Sequence, residues 1–208
     1  MTAVDLLDHA SVFVFALTGA MVASRAQLDI VGFVFVASLT AVGGGTLRDV
    51  ILDRTPVFWV AQPALIGVAV AAAVLVFLTA HLLESRLRVL TWLDALALSV
   101  AVPAGVGVAH AAGQPWAVVL MMGVATGCFG GLMRDVVCNE VPLVLKQGEL
   151  YVTAAFAGAG AALLAMAVMP AGPSLIVCAV VTFALRAGSL AFGWRLPVYK
   201  ARPPRPRP

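Results

Sequence analysis

The chain has 208 residues, of which 62% are hydrophobic and only 11% charged, and its mean hydropathy is +1.03. A soluble domain carries roughly 45–50% apolar and about 25% charged residues, so the composition excludes a water-soluble globular protein and points to a polytopic membrane protein. The formal net charge of +3 does not call for nucleic acid, because the basic residues gather towards the C-terminus, as in a cytoplasmic, lipid-facing tail.

The leading Met1-Thr2-Ala3-Val4-Asp5 lacks the basic leader of a cleavable signal peptide. Seven apolar spans follow, each near the ~20 residues that cross a bilayer. The first runs from Ser11 to Ala23. The second runs from Leu28 to Leu52 and holds Val42-Gly43-Gly44-Gly45-Thr46-Leu47-Arg48-Asp49. Pro56 ends it, and Phe58 and Trp59 read as an interfacial aromatic pair. The third, Pro63 to Leu83, leads into a charged loop from Glu84 to Arg88. The fourth, Trp92 to His110, contains Pro103, which should kink it by removing one backbone hydrogen bond. The fifth, Trp116 to Val137, carries Phe129-Gly130-Gly131-Leu132-Met133-Arg134-Asp135 and is closed by Pro142. The sixth runs from Leu150 to Met169, and the turn Pro170-Ala171-Gly172-Pro173 leads to the seventh, Ser174 to Phe192. The tail, with Lys200, Arg202, Arg205 and Arg207 among prolines, cannot pack a core.

The two glycine motifs are 86 positions apart (Arg134 minus Arg48), and the same shift places Asp8 on Asp94, Gly19 on Gly105, Thr40 on Thr126 and Pro56 on Pro142. The chain therefore reads as an all-α integral membrane protein of two three-helix repeats and a seventh helix. The units are residues 1–90, 91–172 and 173–195, followed by the basic tail, 196–208. Three is an odd number, so the second repeat must enter the membrane from the opposite side, the inverted plan of many transport proteins. With the N-terminus outside, Arg25, Arg86, Arg88, Lys146 and Arg195 fall inside with the tail, and only Arg54 falls outside, as the positive-inside rule favours.

Adjacent glycines cost about 0.5–1 kcal/mol each in a helix, so spans two and five should be broken at Gly43-Gly44-Gly45 and Gly130-Gly131. Unwound backbone at membrane depth survives only if it is buried in protein or lines water. Two inverted breaks would meet near the midplane and offer carbonyls to a cation. Thr40 and Thr126, one turn earlier, and Thr46 extend a polar path. A large side chain at Gly44 should then block the path and leave the assembly intact. Arg48, Asp49, Arg134 and Asp135 must face partners or water, because each buried charge costs about 2.5–3.5 kcal/mol. Neighbours on a helix point about 100° apart, so Arg48 should not simply pair with Asp49. Equivalent depth puts Asp8 near Arg48 and Asp94 near Arg134. Arg186 has no repeat counterpart and should face a carboxylate or water. Cys128, Cys138 and Cys178 lack metal-ligand spacing and read as small hydrophobes. Glu140 and Glu149 read as solvated loop residues. No nucleophile–base grouping supports an enzyme, and no cofactor motif appears.

Gly43 to Asp49 followed by Pro56-Val57-Phe58-Trp59, with Gly130 to Asp135 followed by Glu140-Val141-Pro142, resembles the prokaryotic trimeric intracellular cation channel family. The likeness runs from about Asp8 to Phe192. It implies a homotrimer in a bacterial inner membrane, with lipid around it and room for bound lipid. It also implies an hourglass pore within each subunit and passive conduction of monovalent cations, mainly potassium, which would touch backbone carbonyls only in passing. Relatives have also been labelled transporters of small amino acids such as glycine, which is the alternative activity. Phe129 departs from the pattern, standing where the first repeat has Gly43, and that places the expected gate in the second repeat.

Overall fold

A computed structural model describes residues 3–82 and 85–197, apart from the side chains of 3, 4 and 86. Glu84, Lys200, Arg202, Arg205 and Arg207 lie outside the described residues, as does the Arg86 side chain. Eight α-helices follow in order: α1 (Ala3–Arg25), α2 (Ile30–Ile51), the single turn α3 (Phe58–Ala61), α4 (Ala64–Thr79), α5 (Arg86–Ala111), α6 (Trp116–Val137), α7 (Val152–Met166) and α8 (Ala171–Phe192). Six are long and apolar enough to cross a membrane. The sixth apolar span forms only the 15 residues of α7, about 22 Å of helix against about 30 Å of hydrocarbon.

The duplication is written into the helix ends. α2 and α6 begin and end at positions 86 apart, and so do the last residues of α1 and α5. α2 stops at Asp53 (φ 52°) and α6 at Asn139 (φ 54°), each a short polar residue in the left-handed conformation that closes a helix. Gln27 (φ 55°) and Gly113 (φ 68°) repeat the device after α1 and α5. α1, α2 and α4 pack together, as do α5, α6 and α7, and α8 packs on α5 and α7. Each triplet has its own apolar core, Val12, Phe15, Val36 and Leu65 in one, Leu98, Val102, Val119 and Ala155 in the other. The two triplets meet along α1 against α5 and α2 against α6.

Contacts at that seam fix its direction. A Cβ on Gly44 would collide with the carbonyl oxygen of Thr126, and one on Gly130 with that of Thr40. Thr40 precedes Gly44 and Thr126 precedes Gly130, so α2 and α6 cross antiparallel about a twofold axis. Gly19 and Gly105 do the same work within each repeat, seating α1 on Val36 and Thr40, and α5 on Met122 and Thr126.

The expected breaks are absent. α2 and α6 are continuous α-helices through both glycine motifs, and α5 runs through Pro103. The cost of the glycines is offset by backbone-to-backbone approach at the seam, which any side chain would forbid.

Candidate functional site

The chemistry lies at the seam and at its two charged ends. At the first end, Arg48 is fully buried and sits one turn from the end of α2. Its Nη1 donates to Asp8 Oδ1 of α1 at 2.8 Å, and its Nε donates to Asp49 Oδ1 at 2.8 Å. The adjacent pair therefore does meet, contrary to the 100° argument, because the flexible arginine stem curls back and leaves the guanidinium tip for Asp8. Asp49 then accepts from Arg54 Nη1 at 3.0 Å and from the Phe58 backbone N–H at 2.8 Å. That last bond folds the loop over the helix end. It also lays the Phe58 ring against Gly45 and brings it 5.3 Å from the Arg48 guanidinium carbon.

The second end repeats the pattern with one change. Arg134 donates from Nη1 to Asp94 Oδ1 at 3.0 Å and from Nε to Asp135 Oδ1 at 2.8 Å. Asp135 Oδ2 accepts from the Leu143 N–H at 2.9 Å. The position equivalent to Arg54 is Glu140, which turns to Arg25 at 3.2 Å. Glu140 is thus a partly exposed loop residue that also serves as an ion-pair partner. Glu149 is one too, because Arg186 Nη2 lies 2.8 Å from Glu149 Oε2. That approach is off the hydrogen-bonding direction, and none of the three Arg186 nitrogens has a well-aligned acceptor.

Between the ends, a cavity of about 10 Å³ is lined by Asp8, Ser11, Phe15, Ala41, Gly44, Gly45, Phe58, Ala101 and Thr126, room for about one water. It lies between Asp8 and the crossing. Of the three threonines expected to face a path, only Thr126 has an unpartnered hydroxyl. Thr40 Oγ1 donates to the Val36 carbonyl at 2.6 Å. Thr46 Oγ1 donates to the Val42 carbonyl at 2.7 Å and accepts from Trp59 Nε1 at 2.9 Å.

The seam also separates residues that sequence places side by side. Gly43, Thr46 and Phe129 line a different space, an apolar groove of about 400 Å³ shared with Leu39, Val42, Trp59 and Met133. Phe129 therefore faces away from the cavity that Gly44, Gly45 and Thr126 line, and it does not close that cavity. Sequence reasoning missed Phe58 and Tyr151 as site residues. Phe58 was in view only as an interfacial aromatic, yet it is 9% exposed. Tyr151 carries the phenol nearest the second end, and its ring centroid lies 5.1 Å from the Arg186 guanidinium carbon.

Nothing here pairs a nucleophile with a base. The arrangement offers two charge-paired ends joined by a tight crossing with one free hydroxyl, where the Thr40 and Thr126 carbonyls are packed against Gly130 and Gly44. Such a site can pass or hold a small ion and has no means of bond chemistry.

Comparison with known proteins agrees. A family model described as glycine transporter matches the chain twice, over residues 5–81 and 91–167, again 86 positions apart. A UPF0126 membrane protein of Vibrio cholerae is 34% identical over 93% of this chain and 82% of its own. The UPF0126 inner membrane protein YadS of Escherichia coli is 39% identical over 73% of each chain. A solved structure described as the TRIC trimeric intracellular cation channel orthologue from Rhodobacter sphaeroides superposes with a TM-score of 0.89, at 42% identity over 93% of this chain and all of that one.

Proposed function

The chain belongs to the trimeric intracellular cation channel family, whose model carries the description glycine transporter, and from that premise we propose that it is a channel for monovalent cations, chiefly potassium. The pathway lies within one subunit, along the seam of α2 and α6, and three subunits assemble as a homotrimer. The observation that carries this reading is the cavity that descends from Asp8 to the free hydroxyl of Thr126, flanked by the glycine crossing. The Asp8 carboxylate at the mouth is paired with Arg48, so the mouth is charge-balanced and sets no bare positive charge against a cation. The carbonyl oxygens of Thr40 and Thr126 are packed against Gly130 and Gly44 at the crossing, and they become replacements for an ion's water when α2 and α6 part there. The N-terminus lies outside, in the bacterial inner membrane. Among the described residues Arg25, Arg88, Lys146 and Arg195 then face the cytoplasm and Arg54 faces out, the bias expected of loops near spans.

Reconstitution into a planar bilayer with a potassium gradient tests this. Unitary currents that reverse at the potassium potential are the expected result. The family description names a rival, a carrier for glycine. Saturable glycine uptake by the same preparation, with no unitary current, would overturn the channel reading.

A further inference from the structure

The cavity on the outer side stops at the crossing. Duplication calls for a counterpart on the inner side, bordered by Asp94, Gly130 and Gly131. That space is occupied. A Cβ placed on Gly131 would lie 3.2 Å from the Tyr151 hydroxyl, 3.6 Å from Asp94 Oδ1 and 3.7 Å from Arg134 Nη2. Tyr151 stands at the N-terminus of α7 and is buried. Its repeat counterpart is Leu65 of α4, and in the first repeat the place over Gly45 is taken by the Phe58 ring, which carries no hydroxyl.

The ring is backed by Arg186, which comes from α8, the helix outside the duplication. Arg186 is fully buried, yet among the described residues its only close contacts with charge or ring are the ill-directed Glu149 carboxylate and the Tyr151 face. An arginine with five donors and no aligned acceptor is costly at membrane depth. Near the hydroxyl end of the ring, by Gly131, Asp94 Oδ2 is buried and also unpartnered. Charge bookkeeping sharpens the contrast. Arg48 and Arg54 together face Asp8 and Asp49, whereas Arg134 alone faces Asp94 and Asp135. The inner cluster is one cation short, and Arg186, the ion-pair partner of Glu149, lies against the Tyr151 ring. The segment that carries the ring starts at Gly148, whose φ of +82° suits glycine. It is tied to the end of α8: the Leu150 N–H donates to Ser189 Oγ at 3.3 Å, and the Leu196 N–H donates to the Gly148 carbonyl at 2.9 Å.

We propose that Tyr151 is the inner barrier of the pathway and that Arg186, held by Glu149, positions its ring there. The proposal rests on the channel reading. With the ring over Gly131, the pathway is shut. When the segment swings on Gly148, the space over Gly131 joins the outer cavity at Thr126, and Arg186 gains Asp94 Oδ2 as an acceptor. Two discrete arrangements of one arginine are the kind of bistable element from which switches are built.

The test uses Ag⁺, a thiol-reactive cation of about potassium's size, on the full chain in sealed, oriented vesicles. Thr126→Cys is introduced after Cys128, Cys138 and Cys178 are replaced by alanine, and reaction of the introduced thiol is scored from each side. We expect reaction from the outer side and protection from the inner side. Tyr151→Ala should make the inner reaction on the order of tenfold faster or more, the change given by about 1.4 kcal/mol of barrier. Tyr151→Phe keeps the ring and should leave it slow. Arg186→Gln should speed the inner reaction with the tyrosine in place, and Arg186→Lys should restore part of the protection, which a loss of packing alone would not do. The outer rate reports the fold in every variant. Where Tyr151→Ala lowers that rate, Tyr151→Leu, which copies the residue of the first repeat, takes its place. An unchanged inner rate with the outer rate intact overturns the barrier. Failure of the channel reading has a different signature, namely the expected labelling pattern with no potassium current from any variant.

Discussion

Arg134 is fully buried between Asp94 and Asp135, whereas Arg54 reaches Asp49 with 44% of its side chain exposed. The same bond length therefore has different consequences. Arg134→Ala leaves two buried carboxylates facing no cation and should cost about 3–5 kcal/mol. Arg54→Ala should cost less than about 1 kcal/mol, because water screens the pair and Arg48 still holds Asp49. Thermal denaturation of the two variants in one detergent checks the contrast, and equal losses would refute it. Glycines divide in the same way. A Cβ on Gly44 meets the Thr126 carbonyl, while one on Gly67 meets nothing within 4 Å. Gly44→Ala should therefore destabilise by about 1–3 kcal/mol, and Gly67→Ala, at the end of the first turn of α4, should be neutral or stabilise by up to about 1 kcal/mol. The expectation that a large residue at Gly44 blocks the path in an intact assembly is thereby corrected. Even a methyl group must push α2 and α6 apart.

At the scale of elements, the Arg–Asp motif is a device for closing a helix and folding back the loop after it. Asp49 takes the Phe58 N–H and Asp135 takes that of Leu143, although the loops differ by one residue in length. Asp49→Ala should speed hydrogen exchange of the Phe58 amide, and Asp135→Ala that of Leu143, each by on the order of tenfold, the worth of about one hydrogen bond to a charged group. Each change should leave the other loop alone, and coupled loosening of both would refute local anchoring. This device also marks what sequence can and cannot show. Shift and depth alone place Asp8 by Arg48 and Asp94 by Arg134, because both partners recur at a fixed offset in equivalent helices. The continuity of α2 was not legible. Helix propensity counts the glycines as losses, and only the facing carbonyls, Thr126 against Gly44 and Thr40 against Gly130, each from the other repeat, show what close approach returns. The contact of Arg48 with Asp49 was hidden for a simpler reason, since helical spacing describes Cβ directions and not the reach of an arginine. Phe58 and Tyr151 left no periodic signal, because each enters from a loop or a helix start and neither has an aromatic counterpart in the other repeat.

For the whole molecule, the decisive property is that equivalent residues lie on opposite faces. The reciprocal contacts Gly44 to Thr126 and Gly130 to Thr40 require antiparallel crossing, and three spanning helices per repeat require the same reversal. Ala26 and Ala112 put this to a direct test. They occupy equivalent positions just past the ends of α1 and α5, and both are exposed. Each precedes a residue in the left-handed conformation, Gln27 in one repeat and Gly113 in the other, so the two sites are matched in local structure and reactivity. Ala26→Cys and Ala112→Cys, each in a background without the native cysteines, should differ only in the face they present. A membrane-impermeant maleimide should label the first only from the cytoplasm and the second only from outside. Labelling of both from one face would contradict the inverted plan, and with it the common axis on which the outer cavity and its occluded inner counterpart are related. Labelling with the two faces exchanged would preserve the axis and reverse the orientation, which would put Asp8 at the cytoplasmic mouth and Tyr151 at the outer one.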